Sequence, residues 1–307
     1  MNKAKKTLIV ISGPTASGKT DLSIALAKHL NTEIISADSR QFYKEMKIGT
    51  AVPSDEQLQA VPHHFVGHLS ILHHYNVYRF EKDALQKIHQ LFKIYDLVIL
   101  TGGSGLYVDA VCKGIDEMPD IPDHLRNKVD YNYRMKGLEY LRKYLKQHDP
   151  EYYREVDKDN PNRMKRGVEV CEATGKPFSF FRKKMPAERE FTIRKFGLLW
   201  EREVLKTRIN QRTEQMMKQG WLEEAKRLFP YREMNALKTV GYNELFLYLR
   251  EQISLDQAVE NIKTQTRRYA KRQMTWLKRD QDIQWIDCAK PEDLWKQEIL
   301  KKLRNRE

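Results

Sequence analysis

An apolar run followed directly by a glycine-rich loop constrains the fold of this chain more than any other feature. Thr7–Ser12 is rich in β-branched residues, and leucine and alanine recur at helical spacing after Thr20. The residues between them match G-x-x-x-x-G-K-[ST], a loop whose backbone amides surround phosphate groups at the start of a helix. The sequence therefore predicts a cradle for a diphosphate or triphosphate, built from Gly13, Pro14, Thr15, Ala16, Ser17, Gly18, Lys19 and Thr20.

Two side chains of this loop have chemistry of their own. Lys19 has the length to reach a terminal phosphate, and the Thr20 hydroxyl is a ligand of the kind that Mg²⁺ takes. The pattern does not specify ATP, because the same amides accept any diphosphate.

Two further strands follow at the spacing expected of an α/β protein. Glu33–Ala37 and Tyr95–Leu100 are short apolar segments, and a helical pattern at 80–92 precedes the second of them. Strands that alternate with helices indicate a parallel sheet covered on both faces. We therefore predict an α/β fold, a P-loop NTPase-like parallel sheet core flanked by helices.

The pattern changes after residue 113, where charged, helix-prone segments broken by prolines replace the strands. Phe191–Trp200 then has the β-branched character of a strand that returns to the sheet, and amphipathic helices follow at 202–219, 221–229, 240–250 and 255–279. We predict a core formed by 1–113 and 191–307, with a helical insertion domain at 114–190.

Polar residues follow the second and third strands. Asp38 comes directly after the second strand, at the sheet edge where ligands of open α/β sheets bind, and it could bind a metal, cap a helix or act as a general base. The third strand ends in Thr101 and two glycines, where nucleotide-hydrolysing relatives of this fold commonly carry an acidic residue. That difference lowers the case for ATP hydrolysis.

The net charge of +13 is concentrated outside the first 110 residues, which hold 12 Lys/Arg against 10 Asp/Glu, while the rest hold 43 against 32. A basic excess of this kind attracts polyanions such as nucleic acid. Thr264–Trp276 contains four basic residues and no acidic one, and a second cluster lies at 162–166. A solvated basic helix surface remains the alternative for both clusters.

Several features bear on the cellular setting and on metals. No apolar run approaches the roughly 20 residues of a membrane span, so we expect a cytoplasmic protein with no membrane partner. The three cysteines form no CxxC pair, which predicts buried or incidental thiols. The adjacent pairs His63–His64 and His73–His74 are expected to be ordinary loop histidines, because neighbouring side chains point apart and no third ligand has suitable spacing.

Taken together, the motifs resemble those of the bacterial tRNA dimethylallyltransferases, the tRNA isopentenyltransferase family. The resemblance rests on the phosphate loop, Ile35–Gln41, Ile48–Thr50, Pro62–His64 and Gly102–Tyr107. It continues in Asn162–Arg166, Thr174–Pro177, Val240–Tyr242 and Thr266–Trp276. These segments occur in the family's order over nearly the whole chain.

The resemblance implies transfer of a dimethylallyl group from dimethylallyl diphosphate to N6 of the adenosine 3′ of the anticodon, with release of diphosphate. Lys19, the loop amides and Thr20 with Mg²⁺ would stabilise the leaving diphosphate, and Asp38 would accept the N6 proton. The family's diphosphate-contacting arginine corresponds to Arg208 or Arg212, between which the sequence does not choose.

The same resemblance implies contacts with the anticodon stem-loop of a tRNA, by a protein expected to be a monomer. The extruded adenosine would pass Asp38, Ser39, Arg40 and Gln41, with Ser104 near the target nucleotide. Further RNA contacts would come from Asn162, Arg163, Met164, Lys165, Arg166, Arg268, Lys271 and Arg272.

Two other functions fit part of the sequence. An ATP-dependent small-molecule kinase would explain the first 110 residues but leaves the basic segments unexplained. A non-catalytic RNA-binding P-loop module would explain the basic surface but gives Asp38 no task.

Overall fold

The computed structural model describes residues 6–183 and 186–304. Contacts between residues divide the chain into two compact units, Met1–Cys112 with Arg189–Glu307, and Lys113–Glu188. The sequence predicts the insert at 114–190. Residues 1–5, 184–185 and 305–307, which the predicted boundaries include, lie outside the described part of the chain.

The first unit is built around one parallel sheet of six strands. The strands are β1 Thr7–Ser12, β2 Ile34–Ser36, β3 His63–His64, β4 Leu97–Gly102, β5 Thr192–Leu199 and β6 Ile283–Asp287. Their order is β3-β2-β4-β1-β5-β6, and each neighbouring pair is parallel. β1 therefore lies in the middle of the sheet, and the loop that follows it opens at the edge where all strands end.

The helices of the first unit cover both faces of the sheet. They are α1 Lys19–Leu30, α2 Asp55–Ala60, α3 Val77–Leu91, α4 Gly105–Lys113, α9 Arg202–Lys218, α10 Trp221–Leu228, α11 Tyr242–Leu249, α12 Leu255–Leu277 and α13 Glu292–Arg304, with 3₁₀ turns at Phe229–Tyr231 and Asn235–Leu237. The intervening helices of the second unit are α5 Asp123–His148, α6 Pro150–Glu155, α7 Pro161–Thr174 and α8 Phe178–Phe181. Among residues 6–183 and 186–304, no helix is both long enough and apolar enough to cross a bilayer.

Alternate residues of the strands enter two separate cores, as expected for a sheet that is buried on both faces. Leu8 and Val10 of β1 pack with α3, α4 and α10–α12, whereas Ile9 and Ile11 pack with α1 and α13. All four side chains are at most 1% exposed. The continuous apolar run in β1 is therefore explained by burial on both sides, and the predicted α/β class with a parallel sheet is confirmed.

The second unit has a small core of its own, formed by residues from α5–α8 that include Leu141, Leu145 and Val168. Within α5 the backbone is non-helical at Gly137, where φ is 68°. That left-handed value favours glycine, which has no Cβ. The Asp149 carboxylate ties two helices together, because it accepts hydrogen bonds from the amides of Tyr152 at 3.0 Å and Ser179 at 2.8 Å.

The sequence does not predict β3, β6 or α13. The expectation of loop histidines is wrong for His63 and His64, which pair in parallel with Ile34 and Ile35 to form β3. This strand has only two residues and no apolar run, so its sequence carries no strand signal. β4 also extends beyond the predicted Leu100, because pairing with the end of β1 overrides the turn tendency of Gly102.

Candidate functional site

The loop after β1 adopts the conformation of an anion-binding nest. Ala16 has a φ of 62° and Gly18 a φ of 86°, so residues with positive φ alternate along the loop before α1 begins at Lys19. Alternation of this kind turns successive amides toward one concave side. At Gly18 a Cβ would also meet the Trp295 ring at 3.3 Å, so this position favours glycine both for its backbone and for the space available.

Side chains outside the nest hold two of its carbonyl groups. Arg208 Nε donates to the Ala16 carbonyl at 2.9 Å, and Trp200 Nε1 donates to the Ser17 carbonyl at 3.0 Å. The Arg208 guanidinium lies 4.4 Å from the centre of the Trp200 ring, within cation–π range. These two contacts fix the carbonyl groups of Ala16 and Ser17 from outside the nest.

Two cationic side chains enter the concave side. Lys19 Nζ donates to the Pro14 carbonyl at 2.8 Å, and Arg212 donates to the Thr15 hydroxyl at 3.2 Å. The pKa of Lys19 is lowered to about 8, chiefly by burial; the Asp38 carboxylate opposes this shift, and nearby Arg212 adds a smaller lowering effect. Burial also lowers the pKa of Arg212, again opposed by Asp38. Two poorly solvated cations side by side form a site for an anion.

Asp38 lies two residues beyond β2 and lines the same cavity as Lys19 and Arg212. Its Oδ1 accepts the Arg40 amide at 3.1 Å, which forms a turn within the loop. Helix capping, one of the three roles open for Asp38, is not its role, because the next helix starts only at Asp55. The turn leaves Oδ2 without an assigned bond inside the loop, 3.8 Å from the position that a Cβ of Gly103 would occupy.

Ser39 and Ser104 join the β2 loop to the β4 loop. The Ser39 amide donates to Ser104 Oγ at 3.0 Å, and the two hydroxyls lie 3.1 Å apart. The Ser104 hydroxyl also contacts Tyr269, whose pKa burial raises to about 12. Ser39 and Ser104 therefore hold the two loops together beside the site. Neither of them lines the cavity itself.

Arg40 and Gln41 use their side-chain donors within the protein. Arg40 NH1 donates to two backbone carbonyls of the 3₁₀ turn at Asn235–Leu237, each at 2.9 Å. Gln41 Nε2 donates to the carbonyls of Thr50 at 3.2 Å and Ala51 at 3.0 Å. Both residues line the cavity, and both hold a neighbouring segment in place around it.

A buried carboxylate holds the segment at 48–51. Glu224 is 3% exposed and accepts the amides of Ile48 and Gly49, each at 2.8 Å, and the Tyr242 hydroxyl at 2.7 Å. Glu224 carries no site signal in the sequence, because an acidic residue in an amphipathic helix normally indicates a solvated face. Its partners come from segments about 18 and 175 positions away in the chain.

The phosphate loop can be reached from two sides. The cavity that holds Asp38 is completed by Thr266, Tyr269 and Gln273 of α12. A wider and more open groove lies across the loop and is lined by Asp55–Leu58 and by glutamines of α9. Both are lined by Ala16, Lys19, Thr20, Ala51, Arg212 and Met216. Arg208 lines the groove but not the cavity.

Three basic residues of α12 face solvent, and one of them, Arg272, lies 5.8 Å from the ring centre of Tyr269. Arg268, Lys271 and Arg272 are exposed, whereas Thr266, Tyr269 and Gln273 recur at helical spacing on the inner face. The sequence contains this spacing, although the charged residues are the more prominent feature of the segment. Tyr269 and Gln273 are thus site residues that a helical reading of the segment could have found.

The second basic cluster is only partly exposed within its own unit. Asn162 and Arg163 face solvent, while Lys165 pairs with Asp130 at 2.7 Å. Arg166 lies 3.8 Å from the carboxylate of Glu169, and burial lowers its pKa. The prediction that Met164 contacts RNA is wrong, because its side chain is 0% exposed and fills the core of this unit.

Comparisons with known proteins decide the family. Residues 41–280 match the IPP transferase family. This chain belongs to that family. It is 51% identical over 290 residues to a tRNA dimethylallyltransferase of Flavobacterium johnsoniae, covering 92% of this chain and 94% of that protein. It is 48% identical over 280 residues to the enzyme of the same name from Christiangramia forsetii, covering 91% and 93%.

Solved structures of this family share the fold. The tRNA isopentenylpyrophosphate transferase of Bacillus halodurans matches with a TM-score of 0.72 at 33% identity, over 98% of this chain and 96% of that one. A eukaryotic dimethylallyltransferase described as acting on tRNA matches with a TM-score of 0.76 at 25% identity, over 97% and 77%. The predicted resemblance to the tRNA isopentenyltransferases is therefore confirmed.

Proposed function

We propose that this chain transfers the dimethylallyl group of dimethylallyl diphosphate to N6 of the adenosine 3′ of the anticodon in tRNA, releasing diphosphate. The observation that carries the proposal is the single cavity in which the Asp38 carboxylate lies beside the two buried cations of the phosphate loop, Lys19 and Arg212. Membership of the IPP transferase family and the names of its relatives support it.

The donor half of the reaction needs an environment that stabilises a leaving diphosphate. As the allylic C–O bond breaks, both electrons leave with the diphosphate oxygen, and the developing charge falls among the loop amides, Lys19 and Arg212. Of the two candidate arginines we assign the contact to Arg212. Arg208 is stacked on Trp200 and bound to a loop carbonyl, so its role is to hold the loop.

Mg²⁺ is the cofactor expected with this donor. Among the residues that the structure describes, no cluster of three or more His, Cys, Asp or Glu could hold a metal ion. The donor set instead fits an ion held mainly by substrate phosphates, with Thr20 at the first turn of α1 as the protein ligand, because Mg²⁺ commonly keeps few protein ligands. Bound there, the ion would neutralise diphosphate charge.

The acceptor half needs a base and a pocket. Adenine N6 attacks the allylic carbon, a C–N bond forms, and the Asp38 carboxylate takes the N6 proton. A stacked base cannot reach this carboxylate, so the adenosine is turned out of the loop into the cavity. Tyr269 offers an aromatic face there, and exposed Arg268, Lys271 and Arg272 on the outer side of α12 are placed to contact RNA phosphates.

The two openings give each substrate its own approach to the phosphate loop. The adenosine enters through the cavity with Asp38, and the diphosphate occupies the loop from the groove on the other side. Lys19, Thr20 and Arg212, which line both, then lie where the two substrates meet. The insert contributes further RNA contacts through exposed Asn162 and Arg163.

One assay tests this proposal against the two alternatives. The protein is incubated with labelled dimethylallyl diphosphate, unmodified tRNA and Mg²⁺, and in parallel with labelled ATP and Mg²⁺. Label entering the tRNA supports the transferase. Consumption of ATP with a phosphorylated small acceptor, or retention of RNA without any transfer, would contradict it. The kinase is disfavoured by β4, where the Thr101 hydroxyl bonds to the Ile11 carbonyl at 3.3 Å in place of an acidic residue.

A further inference from the structure

A glutamine on α12 spans the site from the phosphate loop to the β4 loop. Gln273 Oε1 accepts the Thr15 amide at 2.8 Å, and its Nε2 donates to the Gly103 carbonyl at 2.8 Å. The two partners lie 258 and 170 positions away in the chain. Gln273 is 7% exposed, so both arms of its amide are used in a place that solvent hardly reaches.

The fit around this amide is tight. A Cβ at Gly103 would lie 2.5 Å from Gln273 Nε2, a distance at which one of the groups would have to move. The absence of a side chain at this position therefore lets the glutamine approach the backbone. Neither a hydrophobic residue nor a charged one could satisfy both an amide donor and a carbonyl acceptor at the same time.

Thr15 is also bonded through its side chain, because its hydroxyl accepts a hydrogen bond from the Arg212 guanidinium. Gln273 fixes the backbone of a residue whose side chain is bonded to the arginine assigned to the diphosphate. With Arg208 and Trp200 on the carbonyls of the next two residues, Gln273 completes a set of three contacts on consecutive residues of the loop. It is the only one of these three that also lines the cavity with Asp38.

We propose that Gln273 is a positioning residue that holds the phosphate loop in the conformation that binds diphosphate and joins it to the β4 loop. The inference rests on the proposed function, in which that loop binds the donor. Gln273 follows directly after exposed Arg272, so α12 reaches the diphosphate site with one face while presenting its basic face outward. Gln273 itself touches neither reacting group and acts by holding the backbone of Thr15 in place.

Binding of inorganic pyrophosphate with Mg²⁺ to the full chain tests the inference without requiring catalysis. Gln273→Met keeps the length and shape of the side chain but removes both hydrogen bonds. We expect pyrophosphate affinity to fall about tenfold, corresponding to the loss of one to two net hydrogen bonds. Gln257→Met is the matched control, because that glutamine is exposed on the same helix and bonds only to Asn261 through its side chain.

The affinity for an anticodon stem-loop RNA is measured on the same proteins. A positioning role predicts that this affinity stays within about twofold of the parent, as does the KM for RNA, while the KM for dimethylallyl diphosphate rises. Equal losses of pyrophosphate and RNA affinity would indicate general damage to the fold and would overturn the inference. So would pyrophosphate affinity in Gln273→Met that matches that of Gln257→Met.

A second variant keeps the inference testable if the first does not fold. Gln273→Glu retains the acceptor for the Thr15 amide but turns a carboxylate oxygen toward the Gly103 carbonyl. When the new carboxyl is protonated it regains a donor, so pyrophosphate affinity relative to the parent should recover as the pH is lowered from 7.5 to about 5. A ratio that stays constant with pH would count against the role of the Gly103 contact. If the parent protein itself bound no pyrophosphate, the proposed function would fail instead.

Discussion

Replacing Asp38 with asparagine tests the acceptor half of the proposed reaction with the least structural change. The new side chain has the same size, and its carbonyl oxygen can still accept the Arg40 amide, which lies 3.1 Å from Oδ1. The loop after β2 should therefore keep its turn. What is removed is the negative charge and with it the ability to take a proton from N6.

The two effects of this change differ greatly in size. Loss of a general base lowers the rate of the chemical step by about 10²–10⁴-fold. The charge of Asp38 also raises the pKa values of Lys19 and Arg212, so both fall in the variant. Lys19 starts from a pKa of about 8. If the Lys19 pKa fell to the assay pH, half of the amine would stay protonated and donor affinity would fall by about twofold.

Single-turnover transfer separates these effects. With enzyme in excess and the labelled donor saturating, the rate constant for label entering tRNA should fall by at least about a hundredfold in Asp38→Asn. Asp38→Ala should abolish transfer in the same way. Affinity for unmodified tRNA should hardly change in either. The control is Asp96→Asn, which removes an exposed carboxylate paired with Lys6 at 2.8 Å. Transfer within tenfold of the parent, or a parallel loss of tRNA affinity, would refute the assignment of Asp38 as the base.

Three further predictions concern the loop, the core and the RNA surface. Pyrophosphate affinity should be greatest below pH 8 and should fall as the pH rises through the Lys19 pKa of about 8, because only the protonated amine attracts the anion. Titration calorimetry should show a weaker decline in Lys19→Arg, because the guanidinium stays charged over this pH range. Gly49→Ala should lower the free energy of unfolding by about 1–3 kcal/mol in urea, since its Cβ would lie 2.2 Å from Trp221 Nε1, and an unchanged midpoint would contradict that packing. Arg272→Gln should reduce the slope of log tRNA affinity against log salt by about 0.9, while Met164→Leu should leave the slope unchanged because that side chain is buried.

Much of the sheet could be predicted because its strands carry a local signal. β1 is continuous apolar sequence since both of its faces are buried, and the predicted bounds of that strand agree with the structure. The four helices from α9 to α12 have amphipathic patterns that place their ends within about two residues. β3 escapes prediction because it exists through pairing with Ile34 and Ile35, a long-range interaction that its two histidines do not encode.

The charged residues of the site illustrate a different limit. Arg208 and Arg212 lie one helical turn apart, and nothing in their spacing tells which one faces the diphosphate. The difference arises from Trp200, which comes before α9 and gives Arg208 a ring to stack on, while Arg212 lies next to Thr15. Basic residues surround Met164 in the sequence and predict an RNA contact, yet its position in α7 places its side chain in the core of the second unit.

The phosphate loop itself shows why a short motif predicts a ligand class but not a reaction. The residues 13–20 encode an anion nest, and that much is local. The contacts that hold its backbone come from Trp200, Arg208 and Gln273, all at least 180 positions away. Whether the bound phosphates are hydrolysed, transferred or released depends on what stands at the ends of the neighbouring strands. Here these residues are the carboxylate of Asp38 after β2, the base that we propose for the acceptor, and the hydroxyl of Thr101 in β4, which stands in place of an acidic group.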